Sequence, residues 1–226
     1  MEQNQNTNRD YSLEYNRSSK KYDFIVNLFQ AGRDNAHRTK ALKIAGLKKG
    51  DTVLDLCCGS GLSLKAIQSI IGSGGKIIAV DANDKMLALA KKRAEKNNWN
   101  NIQFIQSDIE KLELKGKIDF AFFALCWYDK KQNTAWTNKV SQLMDKKNGT
   151  LCFLDYKLPE NGLRFIITPL IWILVKWLGE AYGLEDLKWN PKEEIGALLK
   201  DPKYVEYYFG CLFTISGKPK LSAAIN

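Results

Sequence analysis

Three acids and two glycines carry the chemistry that can be read from this chain of 226 residues. Asp55, Gly59 and Gly61 stand in the run Val53-Leu54-Asp55-Leu56-Cys57-Cys58-Gly59-Ser60-Gly61, where an apolar stretch passes into a turn and then a helical pattern. Glycines permit positive φ and close backbone approach, and the N–H groups at a helix start attract negative charge; such a turn suits a nucleotide-like ligand. Similar turns also occur in α/β domains that bind nothing there. Asp81 follows the apolar run Lys76-Ile77-Ile78-Ala79-Val80. A carboxylate at that strand end, about 20 residues past the glycines, can accept two ribose hydroxyls. Its alternative duty is to cap the next helix, which Asp84 is better placed to do, directly before Lys85-Met86-Leu87-Ala88. Asp108 closes a third such run, Ile102-Gln103-Phe104-Ile105-Gln106, and reads equally well as a ligand contact or a turn initiator.

These acids need a scaffold that brings strand ends together. Short apolar runs alternating with helical patterns predict a doubly wound α/β domain, with a parallel sheet whose carboxyl ends line one crevice. Further strands are expected at Phe120-Ala121-Phe122-Phe123-Ala124-Leu125 and before Asp155-Tyr156-Lys157. The last two are expected in the 201–219 region, as an antiparallel hairpin around Phe209-Gly210-Cys211.

In order and spacing, residues from about Leu47 to Tyr156 resemble class I S-adenosylmethionine-dependent methyltransferases, the Rossmann-like family. The resemblance implies a seven-stranded, mostly parallel sheet with an antiparallel last strand, an N-terminal helical cap and an apolar helical insertion after strand five. It implies S-adenosyl-L-methionine as cofactor. It places the methionine part of the cofactor at Asp55, Cys57, Gly59 and Gly61, the ribose at Asp81 and Ala82, and the adenine at Asp108 and Ile109. Leu125 closes over the sulfonium, and Tyr22 reaches the cofactor carboxylate. The family usually carries glycine where Cys57 stands. A nicotinamide enzyme would instead want a third glycine at position 64, which is Leu.

Four residues are expected on the acceptor side: Trp127, Tyr128, Tyr156 and Trp172. Tyr128 and Asp129 follow strand four, where the methyl group should meet its acceptor, and either could receive a proton; packing beneath the next helix is the plain alternative. The aromatics could also hold a cationic amine, which makes N-methylation the leading chemistry. The segment from Leu163 to Leu178 is apolar on nearly every side but interrupted by Arg164, Pro169 and Lys176, and it falls short of the ~20 apolar residues that span a bilayer. It reads as the lining of an apolar substrate cavity, a membrane contact, or a buried core helix. Together with the tail, it resembles phospholipid and betaine-lipid N-methylating enzymes, whereas Tyr22-Asp23 resembles the entry of ubiquinone/menaquinone-pathway methyltransferases.

One domain covers the chain: a mobile tail over 1–19, N-terminal helices over 20–46, a cofactor-binding core over 47–156, substrate-covering helices over 157–200 and a terminal hairpin over 201–219. The first nineteen residues lack the apolar core of a signal peptide, which predicts a cytoplasmic protein, with peripheral membrane attachment as the alternative. The net charge of +9 is spread along mixed faces rather than gathered in one Arg-rich block. A nucleic-acid partner is therefore less expected than a small-molecule or lipid substrate, with an anionic membrane surface as a second partner. Oligomeric state is not legible.

Five cysteines and one histidine provide neither a disulfide framework nor a metal site. Cys57 and Cys58 read as packing or turn residues, and His37 as an exposed helix residue. The expected function is methyl transfer from S-adenosylmethionine to an apolar or lipid-like small molecule, at an amine. An RNA or protein methyltransferase and a non-catalytic cofactor-binding subunit are the alternatives.

Overall fold

The computed structural model describes residues 32–126, 130–145, 148–160, 162, 165, 168–169 and 190–220, with side chains from 134 onward in the helix that begins at 130. Seven strands form one sheet: β1 (Thr52–Leu56), β2 (Lys76–Asp81), β3 (Ile102–Gln106), β4 (Phe120–Ala124), β5 (Thr150–Tyr156), β6 (Leu199–Tyr207) and β7 (Leu212–Pro219). Their order is β3-β2-β1-β4-β5-β7-β6; β1 to β5 run parallel, and β7 is antiparallel to both of its neighbours. The doubly wound sheet with an antiparallel last strand is as expected.

The period-two alternation of each strand sorts side chains onto two faces. Val53, Ile77, Ala79, Phe122 and Leu154 pack on one face with residues of helices α1 (Asp34–Ala45), α2 (Leu64–Ile71) and α3 (Asp84–Lys96). Leu54, Leu56, Ile78, Val80, Phe123 and Phe153 pack on the other against Trp136, Val140 and Met144, the first two on helix α4 (Lys130–Leu143) and Met144 just after it. Phe123 stacks on Phe153 with centroids 4.7 Å apart. The central strands have helices on both sides, so β4 is buried at all five positions and alternation in polarity disappears there. The same alternation puts Asp55 and Asp81 on the α1–α2–α3 face, two residues beyond Val53 and Ala79.

Local signals stop and start the elements. Gly46 ends α1 at φ 89°, where the Leu47 N–H reaches the Leu42 carbonyl at 3.0 Å, a left-handed cap suited to glycine. Before α3 the capping side chain is Asn83, not Asp84: Asn83 Oδ1 accepts from the N–H groups of Lys85 and Met86, while Asp84 is the first helical residue. Asn83 has the extended backbone that a cap requires, a property which neighbouring acid and amide residues do not reveal in sequence. Strand β6 lies at the sheet edge, and its irregularity between Lys200 and Lys203, with Pro202 inside it, hinders pairing with further strands.

The tail expected over 1–19, Tyr22, and nearly all of the apolar segment from Leu163 to Leu178 lie outside the described residues. Among the described residues no helix is long and apolar enough to cross a membrane.

Candidate functional site

The strand order reverses between β1 and β4: the chain winds outward through β2 and β3, then returns to the other side of β1. A crevice opens at the carboxyl ends of strands at such a point. Along that edge the fold places Asp55, Cys57, Gly59 and Gly61 from β1 and its turn, Asp81 and Ala82 from β2, Asp108 and Ile109 after β3, and Leu125 after β4.

The turn is held from several sides. The Cys58 N–H donates to the Val80 carbonyl at 3.0 Å, and Arg93 Nε on α3 donates to the Ser60 carbonyl at 3.0 Å. Cys57, Gly59 and Gly61 all have positive φ, which costs a residue with a Cβ such as Cys57 more than it costs glycine. The two glycines do different work. A Cβ on Gly59 would meet only the Cys57 carbonyl, at 4.0 Å, so the backbone is open to a ligand there. A Cβ on Gly61 would lie 2.7 Å from Leu64 Cδ1 and 3.1 Å from Ala90 Cβ, so that glycine serves the close approach of α3. Gly61→Val is expected to lower the melting temperature by several degrees, about 2 kcal/mol of overpacking and backbone strain, and a variant melting like the wild type would contradict this account.

Asp81 is arranged as an acceptor with capacity left over. Oδ2 accepts the Gly59 N–H at 2.8 Å and Oδ1 the Asn83 N–H at 2.9 Å. Each oxygen keeps a lone pair, which fits a vicinal diol. Burial pushes its carboxyl above the usual range, opposed by the Asn83 and Gly59 N–H groups.

Asp55 is fully buried, and neither of its oxygens has a hydrogen-bond partner. Burial pushes its carboxyl up to about 7, against the pull of the Arg38 guanidinium and with a push from Asp81. A buried carboxyl with both oxygens unsatisfied is costly unless a ligand completes it. S-adenosylmethionine carries an ammonium and a sulfonium, a ribose diol and an adenine. The unsatisfied Asp55, the half-used Asp81 and the open backbone at Gly59 fit such a molecule.

Asp108 is exposed and caps a single 3₁₀ turn, Oδ1 accepting from the Glu110 N–H at 3.0 Å, whereas Ile109 is buried. Ala82 is exposed, and its carbonyl accepts from Gln106 Nε2 at 3.3 Å. Leu125 is left-handed at φ 58° and its N–H donates to the Leu154 carbonyl at 2.9 Å, so β4 ends one residue earlier than expected. Tyr156 is half-buried at the carboxyl end of β5, on the Asp55 face. Its neighbour Lys157 is buried and committed elsewhere: Nζ pairs with Glu160 at 2.8 Å and Glu206 at 2.7 Å. Tyr22, Trp127, Tyr128, Asp129 and Trp172 lie outside the described residues.

Two residues of α1 gain roles that their sequence context did not announce. Arg38 is buried, its Nε bonded to both oxygens of Asp34 and an Nη donating 2.7 Å to Ser63 Oγ in the glycine turn. The only trace of this in sequence is an acid four residues before a base, an ordinary helix-surface pairing. His37 is half-buried rather than exposed. Its Nε2 lies 2.8 Å from the Tyr208 hydroxyl, and its ring packs on Tyr207 and Tyr208. Burial, with help from Arg33, lowers its pKa. The contact exists because β7 inserts between β5 and β6 and carries the β6–β7 tip to the carboxyl edge, where Tyr156 faces Leu212.

A sheet in this order, with acids at the ends of β1 and β2 around a glycine turn, defines a Rossmann-like nucleotide-cofactor domain. The comparisons give its family. A family model described as "Methyltransferase domain" matches residues 47–174. The ubiquinone/menaquinone biosynthesis C-methyltransferase UbiE of Ectopseudomonas mendocina is 30% identical over 186 residues, covering 77% of this chain and 72% of that protein. That of Teredinibacter turnerae is 25% identical over 189 residues, covering 77% and 74%. A solved S-adenosylmethionine-dependent methyltransferase from Aquifex aeolicus shares the fold at a TM-score of 0.67 and 22% identity, over 88% of this chain and 96% of that one. The chain belongs to the methyltransferase-domain family and is a class I enzyme with S-adenosyl-L-methionine as its cofactor.

Proposed function

We propose that the methyl acceptor is an apolar small molecule of quinone-precursor type, methylated at a ring carbon. The observation that carries this reading is Phe209. It is 72% exposed at the tip between β6 and β7, where Tyr208, Phe209 and Gly210 all have positive φ. A large apolar side chain held outward by a strained turn, on the edge that carries the cofactor residues, suits an apolar ligand. Phe165, beyond β5, is 82% exposed. The curated relatives act on such compounds by name: besides the proteins above, a demethylmenaquinone methyltransferase of Lactobacillus johnsonii is 39% identical over 95 residues, covering 42% of this chain and 39% of that protein.

In this reading Asp81 and Ala82 hold the ribose, Asp108 and Ile109 the adenine, and Asp55, Cys57, Gly59, Gly61 and Tyr22 the methionine part. The bound cofactor supplies a methyl group already activated on a sulfonium. The chain's own work is to align the acceptor carbon, exclude water and remove a proton. Leu125 and Tyr156 form the near wall, Trp127 and Trp172 the apolar cover, and Tyr128 or Asp129 takes the proton. Apolar acceptors partition into membranes, and the positive net charge favours contact with an anionic lipid surface.

Incubating the protein with isotope-labelled cofactor and a whole host-cell extract that retains lipids, RNA and protein should place the label on a ring carbon of an apolar product. Label on an amine would restore the N-methylation expected from the sequence and overturn the carbon reading; label confined to RNA or protein would overturn the small-molecule reading altogether. Phe209→Glu is expected to raise the KM for the apolar acceptor by about 10- to 100-fold while leaving cofactor affinity unchanged, since it removes roughly 1.5–3 kcal/mol of apolar burial at the acceptor alone.

A further inference from the structure

His37 and Tyr208 stand 171 residues apart in the chain and meet at the carboxyl edge of the sheet, His37 Nε2 lying 2.8 Å from the Tyr208 hydroxyl. Tyr208 opens the tip between β6 and β7. It is half-buried and packs on the same core cluster as Leu125 and Tyr156, while its neighbour Phe209 is exposed. Both tip residues have positive φ, 48° and 58°, a backbone strain that clusters at active sites and ligand clamps. The adjacent Tyr207 is occupied otherwise: its hydroxyl accepts from Thr214 Oγ1 at 3.4 Å, and its ring lies 5.0 Å from Lys40 Nζ. His37 Nδ1 is buried and has no hydrogen-bond partner among the described residues. The route by which a proton reaches the imidazole therefore runs through Nε2 and the Tyr208 hydroxyl.

We propose that Tyr208, backed by His37, takes the hydroxyl proton of the acceptor ring and so activates the ring carbon for methylation. This rests on the ring-carbon reading above and adds the group that acts at the ring oxygen. Phe209 and Tyr208 then divide the acceptor between them, the phenyl ring against its apolar body and the hydroxyl at its oxygen. In the tautomer with hydrogen on Nδ1, Nε2 accepts the Tyr208 hydroxyl hydrogen, and the Tyr208 oxygen keeps a lone pair for the acceptor hydroxyl. As the acceptor proton moves to the Tyr208 oxygen, the tyrosine's own proton moves to His37 Nε2 and the imidazole becomes imidazolium. The electron pair released on the ring oxygen moves into the ring; the ring carbon bonds the methyl carbon as the methyl–sulfur bond breaks, its pair remaining on sulfur. The hydrogen at that ring carbon leaves to Tyr128 or Asp129, and the ring oxygen recovers its proton from His37 by the same route reversed. One proton is released overall, and Tyr208 and His37 end as they began.

The imidazole is suited to this because it is neutral before the acceptor arrives. Burial, then Arg33, lower the His37 pKa below the ordinary 6.5; Asp34 opposes them and Lys40 adds to them. Tyr207 and Tyr208 are the titratable groups whose rings pack against it from the tip. The neutral form is the base, so methyl transfer should lose its rate as pH falls through the lowered His37 value, an acid limb lying below the ordinary 6.5.

His37 is the only histidine of the chain, so protein isotope-labelled at the histidine nitrogens reports on this ring alone. With S-adenosylhomocysteine bound, adding para-nitrophenol near the ordinary imidazole pKa of about 6.5 should move the His37 nitrogen shifts toward imidazolium and raise the phenolate absorbance above that of the free phenol. Tyr208→Phe should abolish both changes. Unmoved shifts and absorbance in the wild type, which depend on no variant folding, overturn the proposal. In the host-cell extract, His37→Gln keeps a polar partner for Tyr208 but cannot act as the base; it should lower label transfer about 100-fold and erase the acid limb, with S-adenosylhomocysteine affinity unchanged. Wild-type transfer by His37→Gln, or a loss equal at every pH that tracks a lower melting temperature, overturns the base role. The nitrophenol readout does not involve the natural acceptor, so failure of the pair is separate from failure of the acceptor reading.

Discussion

Asp81→Ala is expected to weaken S-adenosylmethionine binding about 100-fold or more, because in the proposed site two hydroxyl-to-carboxylate bonds at roughly 1.5–3 kcal/mol each would be lost together. The loss is larger than a simple ligand contact would suggest. The same carboxylate satisfies the N–H groups of Gly59 and Asn83, so its removal leaves the turn and the start of α3 without their acceptor. Asp81→Asn separates the two duties: it keeps a carbonyl oxygen for one N–H but presents an amide that lacks the charge. It should melt closer to the wild type than Asp81→Ala does while still binding cofactor at least tenfold more weakly. Calorimetric titration beside thermal unfolding checks both, and unchanged affinity in a folded Asp81→Ala protein would mean that the ribose is not held there.

The second large effect is on pH dependence, through Asp55. Its folded carboxyl is raised from an ordinary 3.8 to about 7 by burial, so the folded state holds a proton that the unfolded chain has already lost. Stability contributed by this group is therefore complete below about pH 4 and is lost as pH rises through about 7, a total on the order of 4 kcal/mol for the ligand-free protein. Asp55→Asn removes the titration and should raise the ligand-free melting temperature at pH 8, with little gain at pH 4. In the proposed site the cationic cofactor reverses the balance, since a positive group beside Asp55 favours its ionised form. Cofactor binding should then release a proton between about pH 5 and 7 and tighten by up to tenfold per pH unit across that range. Titrations in two buffers of different ionisation enthalpy measure this release. A proton count of zero near pH 6 would show that no cation reaches Asp55.

The chemistry-bearing residues of β1 and β2 were legible because they obey local rules. A continuous apolar run marks a strand buried on both faces, and an acid or glycine at its end marks the crevice edge. Asp55, Gly59, Gly61 and Asp81 could thus be placed from sequence alone, and the structure puts them on one edge. The purpose of Gly61 could not, because its constraint is Ala90, on another helix. The cap at Asn83 rather than Asp84 escaped for a narrower reason. Both residue types cap helices, and the backbone angle that chooses between them follows from where β2 delivers the chain.

By itself, the sequence determined the doubly wound class, the strands that supply the cofactor edge and the acids at their ends. Periodicity of two and 3.6 encodes which face of an element is apolar, and turn residues encode where it stops. Only the tertiary structure decided which distant surfaces meet. It set Arg38 against Ser63, His37 against Tyr208, and Lys157 against Glu206. None of these pairs has a local signature. Each follows from strand order, with β4 returning beside β1 and β7 inserting between β5 and β6, and from packing that buries the helices on the faces this order creates.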